Sequence, residues 1–221
     1  MKRYPGRTVL GILGTVVLFL GTTGCNTLPG TDIPVGRSYR ATNVGRVDHI
    51  PTDIRRVAIL PAWCAHPSGE TTVAAIDEAF VYSFTRSARF EIIPITRDQL
   101  QLWTGSTPVS VTEPLPASLF AEVRARTAAD AVLLADITHF SPYPPLALGL
   151  RARLVRLDNG KELWLSDELF DARDPRVLSG ARRYQARGAT SPVDLSHTVL
   201  QSPARFARYA VETLATTLPP R

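Results

Sequence analysis

Cysteine is nearly absent: the 221 residues contain two, Cys25 and Cys64, so no framework of several disulfides is available, and a single Cys25–Cys64 bridge is possible only if Cys25 carries no lipid. The four histidines, at 49, 66, 139 and 197, stand apart from one another and from any cysteine cluster, which argues against a zinc site. None of the 14 glycines opens a helix in a G-x-G-x-x-G or P-loop arrangement, so a phosphate-cradling loop is missing too. No cofactor and no metal is therefore expected. No apolar run reaches the roughly 20 residues of a permanent bilayer-spanning helix, and no internal repeat is visible. Charge of one sign is also lacking. Of the formal +5, three cations (Lys2, Arg3 and Arg7) sit at the amino terminus without acidic neighbours, which leaves the remainder nearly neutral. Eight arginines fall between Arg151 and Arg187, but Asp158, Glu162, Asp167, Glu168, Asp171 and Asp174 interleave with them. That is a mixed solvated face, and nucleic acid is not expected as a partner.

What is present begins with the leader. The three cations precede an apolar run from Val9 to Leu20, and Gly21, Thr22, Thr23 and Gly24 then lead into Cys25. This is the layout of a secretory signal with a processing site. The run is about a dozen residues, too short to remain as a spanning helix, so residues 1–24 are expected to be removed as a signal peptide. Gly24-Cys25 resembles the lipobox of bacterial lipoproteins. The resemblance implies that Cys25 is the lipid attachment residue, its thiol taking a diacylglycerol and its freed amino terminus an acyl chain such as palmitate. Thr22 stands where that pattern usually carries Leu, and Thr22 with Gly24 also suits ordinary cleavage, so a secreted protein without lipid stays open. Several acyl chains, at about 0.8 kcal/mol per buried methylene, anchor a protein to a membrane without spanning it. Asn26 is not the Asp that resembles an inner-membrane retention signal, which favours the periplasmic face of the outer membrane.

Three regions are expected: a signal peptide (1–24), a lipidated amino terminus with a flexible tether (25–52), and a periplasmic domain (53–221) with a helical extension from about residue 173. The tether is polar and rich in Gly, Pro and Thr, with no apolar period. The domain reads as a single compact α/β (α+β) unit, a mixed four- to five-stranded sheet with helices packed on it. Ile54 to Pro61 is a dense apolar run and predicts a buried strand. Val73, Ile76, Phe80 and Phe84 recur at helical spacing up to Ser87. A strand over Phe90–Ile95, a short helix around Asp98–Trp103, a helix over Ala117–Ala128 and a strand over Ala129–Thr138 follow, with Asp136 near that strand's exit. The apolar residues Leu148, Leu150, Ala152 and Leu154 alternate with others up to the turn at Asp158-Asn159-Gly160, and Leu163 to Leu165 return as a hairpin. Helices over Pro175–Ala186 and Pro203–Leu218 are expected to close the chain.

Reactive chemistry has few candidates. Cys64 and His66 lie two apart, on one side of an extended segment, and form the best nucleophile and base pair, although no third residue orients the base. A small buried residue at a strand end is the plainer account of Cys64. Asp136 reads as a loop cap before a catalytic acid, and Trp63, Trp103 and Trp164 as core or groove residues. Between Thr138 and Leu150 the chain carries Phe140, Pro142, Tyr143, Pro144 and Pro145, a loop that either covers the core or recognises a partner through Phe140 and Tyr143.

The run from Arg56 to Pro61, the helix after it, and Arg89 to Pro94 with Arg97 and Leu100 resemble the opening of the curli-secretion-subunit and penicillin-binding-protein-activator lipoproteins. The amino-terminal domain of the TolB translocation protein is similar. Ala129 to Ile137 and Leu157 to Ser166 match a later strand and hairpin of the same pattern, so the likeness covers residues 54 to 168. It implies a non-enzymatic protein-binding module in cell-envelope assembly or transport, compatible with a homo-oligomer, and it carries no catalytic residue. Two alternatives stay open: a secreted hydrolase using Cys64 and His66, and an oligomeric outer-membrane secretion channel component. For a channel, the hairpin from Leu146 to Ser166 is the one candidate, yet it carries Arg151, Arg153 and Arg156, and arginine facing lipid costs about 2–4 kcal/mol near the midplane.

Overall fold

The computed structural model describes residues 36–64, 70–105, 108–188 and 198–221. The strands are β1 (Val44–Arg46), β2 (Arg56–Ile59), β3 (Trp63–Cys64), β4 (Glu91–Pro94), β5 (Ala131–Ser141), β6 (Ala147–Arg156) and β7 (Glu162–Asp171). The helices are α1 (Glu70–Arg86), α2 (Arg97–Thr104), α3 (Ala117–Thr127), α4 (Pro175–Gly188) and α5 (Pro203–Ala215). They build one mixed sheet in the order β1-β7-β6-β5-β2-β4, with β3 beside the later part of β5. The expected mixed sheet with packed helices is present, but it has seven strands instead of four or five. The additional ones, β1 and β3, are three and two residues long, too short to show a period of two in sequence.

Connectivity explains why helices cover both faces. Strand β2 runs parallel to both β4 and β5, which flank it, and parallel neighbours need crossovers. The β2-α1-β4 and β4-α2-α3-β5 crossovers run in opposite directions across the sheet, so a common right hand sends their helices to opposite faces. The side chains sort accordingly. Val57, Ile59, Ala131, Leu133, Ala135 and Ile137 join a core with Ile76, Phe80 and Phe84 of α1. Ala58, Leu60, Val132 and Leu134 join a second core with Leu100, Leu119 and Val123 of α2 and α3. A strand buried on both sides has no polar face to alternate with. That is the reason β2 and β5 read as continuous apolar runs.

The β6–β7 half differs, because its α1-side face is covered along its length, whereas on the other face the second core reaches only Val155 of these two strands. Leu148, Leu150, Ala152, Leu154, Trp164 and Phe170 point into the first core, where α5 contributes Phe206, Tyr209, Ala210 and Leu214. The rings of Phe84 and Trp164 meet edge-on at 6.0 Å, and Trp164 Nε1 donates to Thr217 Oγ1 at 2.9 Å. Helix α5 thus lies against α1 within the central core, where an appended extension had been expected. Its start is set by Ser202 as N-cap and Pro203 in the first turn, the positions where those residues suit a helix.

Two further corrections concern segment boundaries. Residues 36–52 fall within the expected tether, yet they lie on the sheet. Strand β1 pairs antiparallel with β7, Ile50 is 2% exposed, and Ile50 N donates to Pro220 O at 2.8 Å. The seat is polar and therefore leaves no hydrophobic signature: the Glu168 carboxylate accepts from the Tyr39 hydroxyl, Thr42 N and Asn43 N. Asp136 lies in the middle of β5, opposite Arg151, and not at the strand's exit.

Candidate functional site

Cys64 sits on β3 beside Ile137 of β5, half-buried and packed against the first core. Asp136 is its neighbour's partner in register, facing Trp63, and it joins Arg151 on the other side of the sheet. Alternation along a strand therefore places the thiol and this carboxyl on opposite faces, where they cannot act on one bond. His66, the residue paired with Cys64 in the sequence reading, lies outside the described residues, as do Cys25 and His197. His49 and His139 are exposed and far apart in the chain. No group of three His, Cys, Asp or Glu side chains among the described residues could hold a metal ion.

Asp136 has a structural partner set instead. Its carboxylate accepts from Ser110 Oγ at 2.6 Å and Val111 N at 2.9 Å, and it is 1% exposed. These bonds fasten the loop before α3 across the sheet and bury Val111. Burial pushes the Asp136 carboxyl above its ordinary range, against the opposing pull of the two hydrogen bonds. The group is a loop cap of the kind its sequence context implies. Asp77 is a similar clip. It accepts from Ala62 N at 2.7 Å and from Arg97 Nη2 at 2.9 Å, and burial again raises its carboxyl.

The β5–β6 connection has the geometry of an exposed recognition element. Its two flanks are fixed: Phe140 packs partly buried against the first core, and Leu146 is 1% exposed. Between them the chain turns through a cis Pro144–Pro145 bond, and Tyr143 is 79% exposed. The two aromatic residues singled out in sequence are thus divided, Phe140 facing the core and Tyr143 facing out. A register shift between Ile137 and His139 bulges β5 where it meets Gly149. A side chain at 149 would meet Thr138 Oγ1 at 2.4 Å and His139 N at 3.0 Å, so glycine lets the two backbones approach. Such bulges bend and twist the end of a sheet, and this one precedes the connection that carries Tyr143. Leu169, opposite Gly149 on β7, is 52% exposed and adds apolar surface at the same end.

The face of β6–β7 away from α1 carries arginines held in ion pairs. Arg151 pairs with Asp167 at 2.6 Å, and Arg153 with Glu162 at 2.8 Å. Arg153 Nη1 also donates to Val111 O at 2.8 Å. Strand β6 is hydrogen-bonded along both edges, to β5 and β7. No helix among the described residues is long and apolar enough to cross a membrane.

No protein-family model matches the chain, and no curated protein matches it. Several solved structures are similar in part. Lipoprotein GNA1162 from Neisseria meningitidis is 17% identical over 61% of this chain and 99% of its own, with a TM-score of 0.42. The PelC dodecamer from Paraburkholderia phytofirmans is 11% identical over 80% of this chain and 98% of its own, with a TM-score of 0.40. The LpoB C-terminal domain from Salmonella enterica is 12% identical over 52% of this chain and 82% of its own, with a TM-score of 0.36. These are likenesses of backbone course at low identity, and no site residue is carried over from them.

Proposed function

We propose that the protein is a lipid-anchored module on the periplasmic face of the outer membrane, and that it works by holding another envelope protein rather than by catalysis. The observation that carries the binding reading is the Tyr143 ring, 79% exposed at the tip of a loop whose flanks are anchored in the core. A large ring held at a fixed place offers contact area with little entropy to lose. Leu169 widens that surface. The anchor reading rests on the leader that ends at Cys25.

Each half has its own test. Labelled palmitate incorporated by the wild type and not by Cys25→Ser supports the anchor, and equal labelling of both, or of neither, rejects it. For the binding surface, a photo-crosslinking amino acid is placed in turn at Tyr143 and at Leu102, which is 81% exposed on α2. A discrete adduct with one envelope protein at 143 and not at 102 is expected. Identical adduct patterns at both positions would reject the loop as the contact.

A further inference from the structure

The segment from Gly36 to His49 lies on the sheet without entering its core. None of these residues is buried, whereas Ile50, the next in the chain, is 2% exposed and donates from its N to Pro220 O at 2.8 Å. Ile54 is 1% exposed, so the chain is fixed from Ile50 onward. The apolar hold on the segment before it is Tyr39, Ala41 and Val44, each only partly buried against the first core. Its other contacts are polar and gather on one side chain, the Glu168 carboxylate, which accepts from the Tyr39 hydroxyl, Thr42 N and Asn43 N. Around that seat the ladder is short. Asp167 N donates to Asn43 O and Val47 N to Leu163 O, both at 3.1 Å, on either side of the three residues of β1. Tyr39 N donates to Arg176 O at 3.0 Å, and exposed Arg46 and Arg183 reach the carbonyls of Thr217 and Gly36.

What lies under the segment makes its departure inexpensive. Ser166, the register partner of Val44 on β7, is 0% exposed, and its hydroxyl has no hydrogen-bond partner among the described residues. A buried hydroxyl without a partner costs free energy that water returns. Glu168, two residues on along the same face, is likewise a group that water satisfies. Lifting the segment therefore hydrates two buried polar side chains and exposes little apolar surface. Strand β5 has the opposite character, because Ala131, Leu133 and Ile137 are at most 2% exposed and both its edges are hydrogen-bonded. Segments with few buried apolar contacts open at a fraction of the free energy of the whole fold. Asp48 and His49, both exposed, separate the last ladder bond at Val47 from buried Ile50 and are the place for a hinge.

We propose that residues 36–49 form a strap, latched by Glu168, that leaves β7 as a unit while the rest of the sheet stays folded. Closed, the strap holds the chain against β7. Open, it hands its length to the tether, about 14 residues, which adds up to roughly 46 Å of reach at about 3.3 Å per residue. The protein thus has two working distances from the surface that anchors it, set by one carboxylate. The gain in reach rests on the Cys25 anchor proposed above; the latch itself does not.

The test is amide hydrogen exchange on the purified full chain at several low urea concentrations, comparing the bonded amides of Tyr39, Thr42, Asn43 and Val47 with those of β5. In the wild type the strap amides are expected to be protected, but at least about 100-fold less than β5, and to exchange at a rate nearly independent of urea, because little surface opens with them. Glu168→Gln, which exchanges charge-assisted bonds for neutral ones, is expected to lower strap protection at least about ten-fold, the equivalent of about 1.4 kcal/mol. Ser166→Ala, which removes the hydroxyl that release hydrates, is expected to raise it. Strap amides with the protection and urea dependence of β5 overturn the proposal, since the segment then leaves only when the whole sheet unfolds. Strap amides with no protection in the wild type, or protection unchanged in Glu168→Gln, overturn it equally, because nothing would then be latched by this carboxylate. Exchange reads the strap whether or not the chain carries lipid, so a failed palmitate label rejects the anchor and leaves the latch standing.

Discussion

At the scale of single residues, the buried carboxyls show how polar groups are used to set loops in this protein. Asp136 gains two short hydrogen bonds and loses its water, and the loss of water is the larger effect on its ionisation. A carboxyl raised in the folded state holds its proton there more firmly than in the unfolded chain. The folded state is therefore favoured on the acid side, and that advantage is lost as pH rises from the ordinary value of 3.8 through the raised one. Asp136→Asn removes the titration while leaving a group that bonds Ser110 and Val111. The stability of this variant relative to wild type is expected to climb with pH across that window. Urea unfolding of both proteins at several pH values checks it, and Asp77, raised in both, cancels in the difference. A relative stability independent of pH would mean that Asp136 ionises in the fold as it does in water.

At the scale of elements, the β5–β6 connection divides structural from surface roles within four residues. Phe140 is partly buried against the core and Tyr143 is 79% exposed. Phe140→Ala is expected to cost about 1–3 kcal/mol of folding stability, less than the about 3–5 of a fully buried ring. Tyr143→Ala should stay within about 0.5 kcal/mol of wild type and weaken partner crosslinking from the neighbouring positions. Thermal unfolding and the crosslinking yield, measured on the same two variants, separate these outcomes. The edge elements are handled differently. Strand β4 ends in Pro94 at one edge of the sheet and β1 is three residues long at the other. Both are devices that discourage edge-to-edge pairing.

At the scale of the whole molecule, the amino-terminal segment and the last helix finish a sheet that the intervening elements leave incomplete. Glu168 is the seam on one side, 7% exposed and accepting from Tyr39, Thr42 and Asn43. Glu168→Gln replaces charge-assisted bonds by neutral ones and turns one acceptor into a donor. The expected loss is about 1–3 kcal/mol, read as a lower urea midpoint with an unchanged slope. A variant as stable as wild type would show that residues 39–43 hold to β7 by the β1 ladder alone.

The parts of the fold legible in the chain are those where burial follows a period. Helix α1 was visible because one face alone is apolar, and the β6–β7 hairpin because helices cover one side of it and Asn159-Gly160 turns it. Strands β2 and β5 were visible as unbroken apolar runs, since helices on both faces leave no polar alternation. The candidate loop at Phe140 and Tyr143 was legible from composition, but which ring faces outward was not, because Phe140 is partly buried by the first core, whose members come from elements distant in the chain. Strand β1, the Glu168 seat and the central place of α5 were hidden for a related reason. Each is held by groups more than 100 residues apart in the chain, and polar anchors between distant segments leave no periodic trace.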